Sequence, residues 1–383
     1  MKTRAAVIWG IGEPWKVEEV ELDAPGPGEV LVKTRAAGLC HSDEHVVRGD
    51  MVLSNEMSEA MGMAPAFPMI GGHEGSGEVL AVGPGVRYLE PGDHVATSFF
   101  PSCGHCHFCA TGRQNLCDLG AKTFEAGMIT DGRDAHRLAD GRPVNTLAKL
   151  GTFAEHMLVA EDSLVRVEPD IPFTPAALVS CGVATGWGSA VNRAQVKPGD
   201  TVVVVGTGGV GMNAVQGAAM AGAKNVVAVD LVEWKREQAL AFGATDAYGS
   251  IEEAAEKVLE MTWGRGADSV ILVPGLMTGD LVAPAMAMTS KGGTVVVTAI
   301  ANLMASEVSM SLFELAMFQK ELKGTIFGSC NPRSDIPELL SMYSKGKLKL
   351  DELVTRTYTL DDINVGYDDM REGRNIRGVI EFD

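Results

Sequence analysis

Basic residues are scarce in this sequence: 32 Lys and Arg stand against 50 Asp and Glu, for a formal net charge of -18. Nucleic acids and anionic membranes are bound through basic surface, so the balance argues against both as partners. Long apolar runs are lacking too. No stretch approaches the roughly 20 residues that span a bilayer. The opening Met1-Lys2-Thr3-Arg4-Ala5-Ala6-Val7-Ile8-Trp9 has too short an apolar run for a secretory signal and no cleavage region. The expected location is the cytoplasm, where disulfides are rare, so the seven cysteines are read as metal ligands first. There is no internal repeat and no low-complexity tract. Hydrophobic residues at 46% and charged residues at 21% exclude a disordered or fibrous chain. At 383 residues the chain exceeds what one hydrophobic core usually supports, and two domains are expected.

From Met1 to about Asp170 the chain is rich in Gly and Pro, with short apolar runs. Val30-Leu31-Val32-Lys33 and Glu78-Val79-Leu80-Ala81-Val82 read as strands between turns such as Pro25-Gly26-Pro27-Gly28 and Pro91-Gly92-Asp93. Residues 51–69 carry many Met and no clear period, which reads as a surface loop or lid with room for one short helix. Near residue 185 the character changes. Thr201-Val202-Val203-Val204-Val205 is a continuous β-branched run, as in a strand buried on both faces of a parallel sheet. A Gly-rich turn and an Ala-rich helical stretch follow. Asn225 to Asp230, Val270 to Val273 and Thr294 to Thr298 read as further strands, and the helix from Glu233 to Phe242 stops at Gly243. Alternating strands and helices predict a doubly wound α/β domain over 183–326. The β-rich domain is expected to take 1–182 and to be rejoined by 327–383.

Cys103, Cys106, Cys109 and Cys117 form C-x2-C-x2-C-x7-C, within a lobe of about 100–120. Four thiolates this close can close a tetrahedral site around one Zn²⁺, with Gly104 and Gly112 letting the chain wrap tightly. A closed site has no position for a substrate, so its role is structural. Thiolates also suit an iron–sulfur cluster. Zinc is preferred because a second, independent set also reads as zinc. Cys40 lies in Gly38-Leu39-Cys40-His41-Ser42-Asp43-Glu44-His45, His73 in Gly71-Gly72-His73-Glu74-Gly75, and Cys181 in Ser180-Cys181-Gly182. Two thiolates and one imidazole leave the fourth zinc position open. An open zinc lowers the pKa of a bound alcohol, and the alkoxide is the species that expels a hydride. Each ligand alone is more simply a buried Cys or His; three together, beside the four-cysteine lobe and a dinucleotide fold, favour the metal.

Gly206-Thr207-Gly208-Gly209-Val210-Gly211 is G-x-G-x-x-G placed after a strand and opening a helix, the context that makes the pattern informative. Gly206 permits the turn, Gly208 lets the backbone approach a pyrophosphate, and Gly211 lets helix and strand pack closely, while the helix N-terminus stabilises the phosphate charge. Asp230 ends the next strand at about the spacing of 20 residues at which a carboxylate binds the adenosine ribose. A carboxylate there repels a 2′-phosphate, which favours NAD over NADP.

These residues resemble the medium-chain, zinc-containing alcohol dehydrogenase superfamily, with its G-H-E-x-x-G segment at Gly72 to Gly77. Within it they look most like the nicotinoprotein alcohol dehydrogenases of actinobacteria, assayed with N,N-dimethyl-4-nitrosoaniline. The segments Gly72-His73-Glu74-Gly75, Pro101-Ser102-Cys103-Gly104, Thr185 to Asn192 and Leu350 to Arg356 carry that closer match. The resemblance implies a GroES-like catalytic domain and a Rossmann domain. Ser42 would hydrogen-bond the substrate hydroxyl, and His45 would pass the proton on through the cofactor ribose to solvent. Asp43 would orient His73 through its second ring N–H. Glu74 would be a zinc neighbour or transient ligand, or else an ordinary buried carboxylate in an ion pair. His41 stands where several members carry Arg against the pyrophosphate, and histidine carries less charge at neutral pH. Phe99 would line the substrate pocket or simply pack in the core. Thr185 and the backbone of Thr298, Ala299 and Ile300 would contact the nicotinamide, Lys235 the adenosine ribose, and Arg377 the pyrophosphate. Cys330 fits neither zinc set and reads as a core thiol.

The expected function is hydride transfer between an alcohol or aldehyde and NAD. Two zinc ions per chain are expected, with NAD held through turnover and reoxidised by a second substrate or electron acceptor. The runner-up is a mycothiol- or glutathione-dependent formaldehyde dehydrogenase. A non-catalytic NAD-binding zinc protein is disfavoured because Cys40, His73 and Cys181 are all present. A homodimer or homotetramer is expected.

Overall fold

A computed structural model describes the backbone of residues 1–383 and every side chain except that of Phe124. The chain divides into two compact units, Met1–Cys181 with Asn331–Asp383, and Gly182–Cys330. The return falls at Asn331 rather than 327 because Phe327 to Cys330 packs within the second unit. There the Cys330 thiol lies 3.3 Å from the Ala184 carbonyl and accepts from Asn192 Nδ2 at 3.4 Å. Cys330 is fully buried, as a core thiol.

The second unit holds one parallel sheet of six strands. Its order is Asp246–Tyr248, Asn225–Val229, Thr201–Val205, Ala267–Leu272, Thr289–Val297, Glu321–Gly324. Counting strands from Thr201, this is 3-2-1-4-5-6, the doubly wound order in which the first strand sits centrally beside the reversal point. Every residue of Thr201–Val205 is buried, which is why the run carries no polar alternation. Val203, Val227, Val270 and Val295 meet in one core with Ala254 and Val258 of the helix Ile251–Met261.

The first unit is built from two β-sheets. The larger runs Leu164–Val167, His94–Thr97, Glu74–Val82, Glu29–Gly38, Arg377–Glu381, Val354–Tyr358. Its central strand ends at Gly38, which pairs with Glu74 on one side and Val379 on the other. That register brings three distant sequence segments to one point. The smaller sheet centres on Lys2–Ile8 and Lys16–Leu22. Beneath lies an aromatic core in which Trp15 stacks on Tyr367 with centroids 5.8 Å apart and meets Phe153 edge-on. Within 51–69 the helix is Asn55–Ala60, capped by Ser54. Asn55 ties it down by exchanging hydrogen bonds with the backbone of Phe67 at 2.9 and 3.1 Å. Among the described residues no helix is long and apolar enough to cross a membrane.

Candidate active site

In the four-cysteine lobe the sulfurs are met by backbone of the same stretch of chain. Ligand atoms of Cys103, Cys106, Cys109 and Cys117 all lie within 4.8 Å of one another. Backbone N–H groups point at the sulfurs: Cys106 donates to Cys103 Sγ at 3.3 Å, Cys109 to Cys106 Sγ at 3.4 Å, and Cys103 to Cys117 Sγ at 3.4 Å. Such donors favour thiolates. The Cys106 thiol shows the balance: burial raises its pKa, the N–H groups of Cys109 and Asp118 oppose it, and the net value is about 6. Four thiols converging in this way fit a tetrahedral metal with no open position.

Cys40, His73, Glu74 and Cys181 form the second cluster, again with ligand atoms within 4.8 Å, and all four are buried. They arrive from far apart. Cys40 caps the helix His41–Arg48, His73 and Glu74 stand at the start of the strand Glu74–Val82, and Cys181 lies in the π-helical turn Val179–Val183. Interruptions of this kind recur at functional sites. Asp43 fixes two of these arrivals at once. Its Oδ1 accepts from the Gly72 N–H at 2.7 Å, and its Oδ2 lies 3.1 Å from His73 Nδ1. His73 Nε2 is buried and has no oxygen or nitrogen partner within hydrogen-bonding distance.

The charges here are strongly linked. The Cys40 thiol is held well below its usual value by a hydrogen bond from Cys181, with His73 and Arg377 assisting against burial. Cys181 moves up correspondingly, through its bond to Cys40 and through burial. Burial alone would lower His73, but Asp43 and Cys40 override it and hold the imidazole well above its usual value. Burial lifts Glu74 to about 7 against the pull of Arg377. Two thiols sharing a proton, an imidazole and a half-neutral carboxyl form a donor set that a divalent cation fits by displacing protons.

Glu74 is both a member of the cluster and half of an ion pair. The Arg377 guanidinium, expected on a pyrophosphate, is only 4% exposed and is turned onto Glu74 Oε2. Gly38 makes the pairing possible. A Cβ there would sit 2.1 Å from Glu74 Oε2 and 2.9 Å from Arg377 Nη2. Ser42 lies next to the cluster, its hydroxyl 3.7 Å from Cys40 Sγ. Phe99 packs edge-on to His73 with centroids 5.8 Å apart. His41 is exposed, its ring 6.4 Å from that of His45. His45 is buried against Asp50.

In the second unit the glycine-rich turn has the shape its pattern predicts. Gly206 has φ 95, and a Cβ on it would meet the Val273 carbonyl oxygen at 2.4 Å. Above Gly208 nothing lies within 4 Å of where a Cβ would be, so the backbone there is open to a ligand at the start of the helix Gly209–Met220. Asp230 Oδ2 accepts from the Thr207 N–H at 2.8 Å and its hydroxyl at 3.0 Å, while Oδ1 accepts from the Val232 N–H at 2.9 Å. The carboxylate is thus locked beside the turn. Lys235 is half-buried over the Trp234 ring, and burial lowers its pKa against the pull of Asp230. The Thr185 hydroxyl is buried without a partner. Thr298 shares a hydrogen bond with Ser189 at 3.0 Å. The N–H groups of Thr298 and Ala299 are both taken by the Leu272 carbonyl, so these two residues have only their carbonyls to offer a ligand.

Two features had no sequence signal strong enough to find them. One is the left-handed run Phe327, Gly328 and Ser329, with φ 56, 59 and 56, in which Phe327 and Ser329 are strained positions of the kind concentrated at functional sites. The other is Asp50, separated from His45 by a helix end.

A parallel sheet with a glycine-rich turn, joined in one chain to two clusters of metal-binding side chains, defines a metal-dependent dehydrogenase. Residues 26–170 match the model of the alcohol dehydrogenase GroES-like domain, and residues 209–345 that of the zinc-binding dehydrogenases. The chain is 50% identical over 380 residues to an NDMA-dependent alcohol dehydrogenase of Amycolatopsis methanolica, covering 99% of each chain. It is 49% identical over 383 residues to alcohol dehydrogenase B of Mycobacterium tuberculosis, covering 100% of this chain and 99% of that one. A crystal structure of an alcohol dehydrogenase zinc-binding domain protein from Burkholderia ambifaria superposes with a TM-score of 0.90 at 30% identity, covering 100% of this chain and 99% of that one. The chain belongs to the zinc-dependent, medium-chain alcohol dehydrogenase family.

Proposed function

We propose that this oxidoreductase interconverts an alcohol and its aldehyde with NAD, the cofactor staying bound while a second substrate reoxidises it. The observation that carries the reading is the buried donor set of Cys40, His73 and Cys181, with His73 oriented by Asp43. These three residues would hold the catalytic zinc, with Glu74 as neighbour or transient ligand, and Cys103, Cys106, Cys109 and Cys117 a structural zinc. When bound, the catalytic zinc supplies Lewis acidity to the alcohol oxygen and the nicotinamide accepts the hydride.

The chain's own side chains have distinct duties. Ser42 would take the hydroxyl proton of the alcohol as it releases its own, and His45 would receive a proton by way of the cofactor ribose and pass it toward solvent. Arg377 balances the charge of Glu74 in a buried environment, where an unpaired carboxylate is costly. Gly206, Gly208, Gly209, Val210 and Gly211 would cradle the pyrophosphate. Asp230 and Lys235 would meet the adenosine ribose, and His41 a phosphate. Thr185 and the backbone of Thr298, Ala299 and Ile300 would meet the nicotinamide. A homo-oligomer is supported by the exposed Leu303, Met304, Val308, Leu312, Phe313 and Met317 near the edge strand Glu321–Gly324.

Retained NAD rests on the similarity to the NDMA-dependent relative. Gel filtration followed by nicotinamide absorbance tests it. The protein is expected to elute with cofactor and to turn over alcohol with N,N-dimethyl-4-nitrosoaniline and no added NAD. Elution without cofactor, together with free reduction of added NAD, contradicts it. An absolute requirement for glutathione or mycothiol would point instead to the formaldehyde dehydrogenase.

A further inference from the structure

A histidine that hands protons to solvent is simplest to picture at the surface. The His45 side chain is only 4% exposed, and its Nδ1 lies 3.0 Å from Asp50 Oδ2. The Asp50 side chain is itself 12% exposed. The end of the helix His41–Arg48 builds this pair. Gly49 closes the helix with φ 79 and ψ 19, and the Asp50 N–H then donates to the His45 carbonyl at 2.8 Å. The chain doubles back, and the Asp50 carboxylate comes to lie against the imidazole. The other acids of this helix are committed elsewhere: Asp43 to Gly72 and His73, Glu44 to Arg48 and Arg371, each at 2.8 Å.

An ionised carboxylate only accepts hydrogen bonds, so the proton of a neutral His45 sits on Nδ1 and Nε2 keeps its lone pair. A carboxylate in this position also stabilises the imidazolium without itself being protonated. We propose that Asp50 is a positioning residue for proton removal: it holds the His45 ring and tautomer so that Nε2 receives the proton released by the alcohol. The inference rests on the reading of His45 as that acceptor. The hydroxyl proton of the alcohol ends as an Nε2–H bond, the Nδ1–H bond to Asp50 stays intact, and the Nε2 proton then passes to water. No electrons are exchanged at either residue.

The test is a double-mutant cycle in the zinc-loaded enzyme with H45Q, D50N and the pair combined. Zinc content, melting temperature and the solvent isotope effect on kcat are measured beside the kinetics. H45Q and D50N are each expected to lower kcat for alcohol oxidation about 10- to 100-fold, with KM and zinc content near wild type. The double variant should be no slower than H45Q, because residues acting as a unit are not additive. The solvent isotope effect should rise in D50N, which a merely structural role would not produce. D50N turning over at the wild-type rate while H45Q is slow would overturn the role of Asp50, and so would effects that multiply. H45Q at the wild-type rate would overturn the reading of His45 itself. If D50N lowers the melting temperature as well as kcat, D50E decides. Recovery of kcat with the carboxylate restored supports the proposal, and kcat remaining at the D50N level overturns it.

Discussion

Cys103, Cys106, Cys109 and Cys117 lie within one short stretch of chain, and their sulfurs are met by the stretch's own backbone N–H groups. Cys40, His73 and Cys181 come from a helix cap, a strand start and a π-helical turn, and are met by charged side chains, Asp43 and Arg377 among them. The first arrangement needs little but itself. It can be closed, partly exposed and chemically quiet. The second exists only when a sheet register and two buried ion pairs are in place, and each partner can be tuned. Local assembly suits a clamp, and distant assembly suits chemistry.

The largest expected effect falls on the clamp. Replacing Cys103 and Cys106 together by Ser should remove one zinc and cost several kcal/mol of stability, because binding at a structural zinc is folding free energy. Metal analysis with a thermal melt checks this. Soluble molecules that remain should still turn over alcohol.

His136 belongs to neither cluster and serves as the control for general acid sensitivity. Burial lowers its pKa from 6.5 to about 4, with Glu29 and Asp23 opposing and Lys149 and Arg133 assisting. Between these values the unfolded chain binds a proton that the folded chain refuses. Stability should therefore fall as pH drops through this window, by about 3 kcal/mol, with no such loss above it. Urea unfolding near neutral pH and near pH 4, on wild type and on His136→Asn, measures the share due to this one ring. An unchanged pH slope in the variant would sink the assignment.

Asp43→Ala tests the distant cluster through its support. The His73 ring loses the carboxylate at Nδ1, and zinc affinity at that site should fall about 10- to 100-fold while the four-cysteine site keeps its ion. Competition with a chelator separates the two ions. Equal loss from both sites would erase the contrast. The smallest effect is expected from Asp230→Asn, which should weaken NAD about 10-fold, the scale of one hydrogen bond to a charged group, and relax discrimination against NADP. Fluorescence titration of the reduced cofactors would show it.

The two regions also differ in how legible they are. The four-cysteine lobe can be read from spacing alone, because its four sulfurs and the N–H groups that meet them lie in one short stretch. The glycine-rich turn is legible from its own pattern: Gly206 answers to a backbone angle and to the Val273 carbonyl at the end of the neighbouring strand Ala267–Leu272. Cys40, His73 and Cys181 could be named only jointly, and their convergence depends on the pairing of Gly38 with both Glu74 and Val379. Arg377 shows what spacing does not carry: family resemblance places it at a phosphate, and only the register shows that its guanidinium also meets Glu74. Asp50 was invisible because the contact is made by a left-handed turn, and no periodicity announces the side chain that such a turn brings back.

The central claim is that one cluster does chemistry and the other only holds structure, and Cys40→Ser tests it most directly. Zinc per chain is to be measured with alcohol turnover and the circular dichroism of the same sample. The account predicts a fall from two zinc ions to one, turnover reduced by about 1000-fold or more as a Lewis acid worth several kcal/mol is lost, and an unchanged fold. Turnover at the wild-type rate with one zinc missing would contradict it.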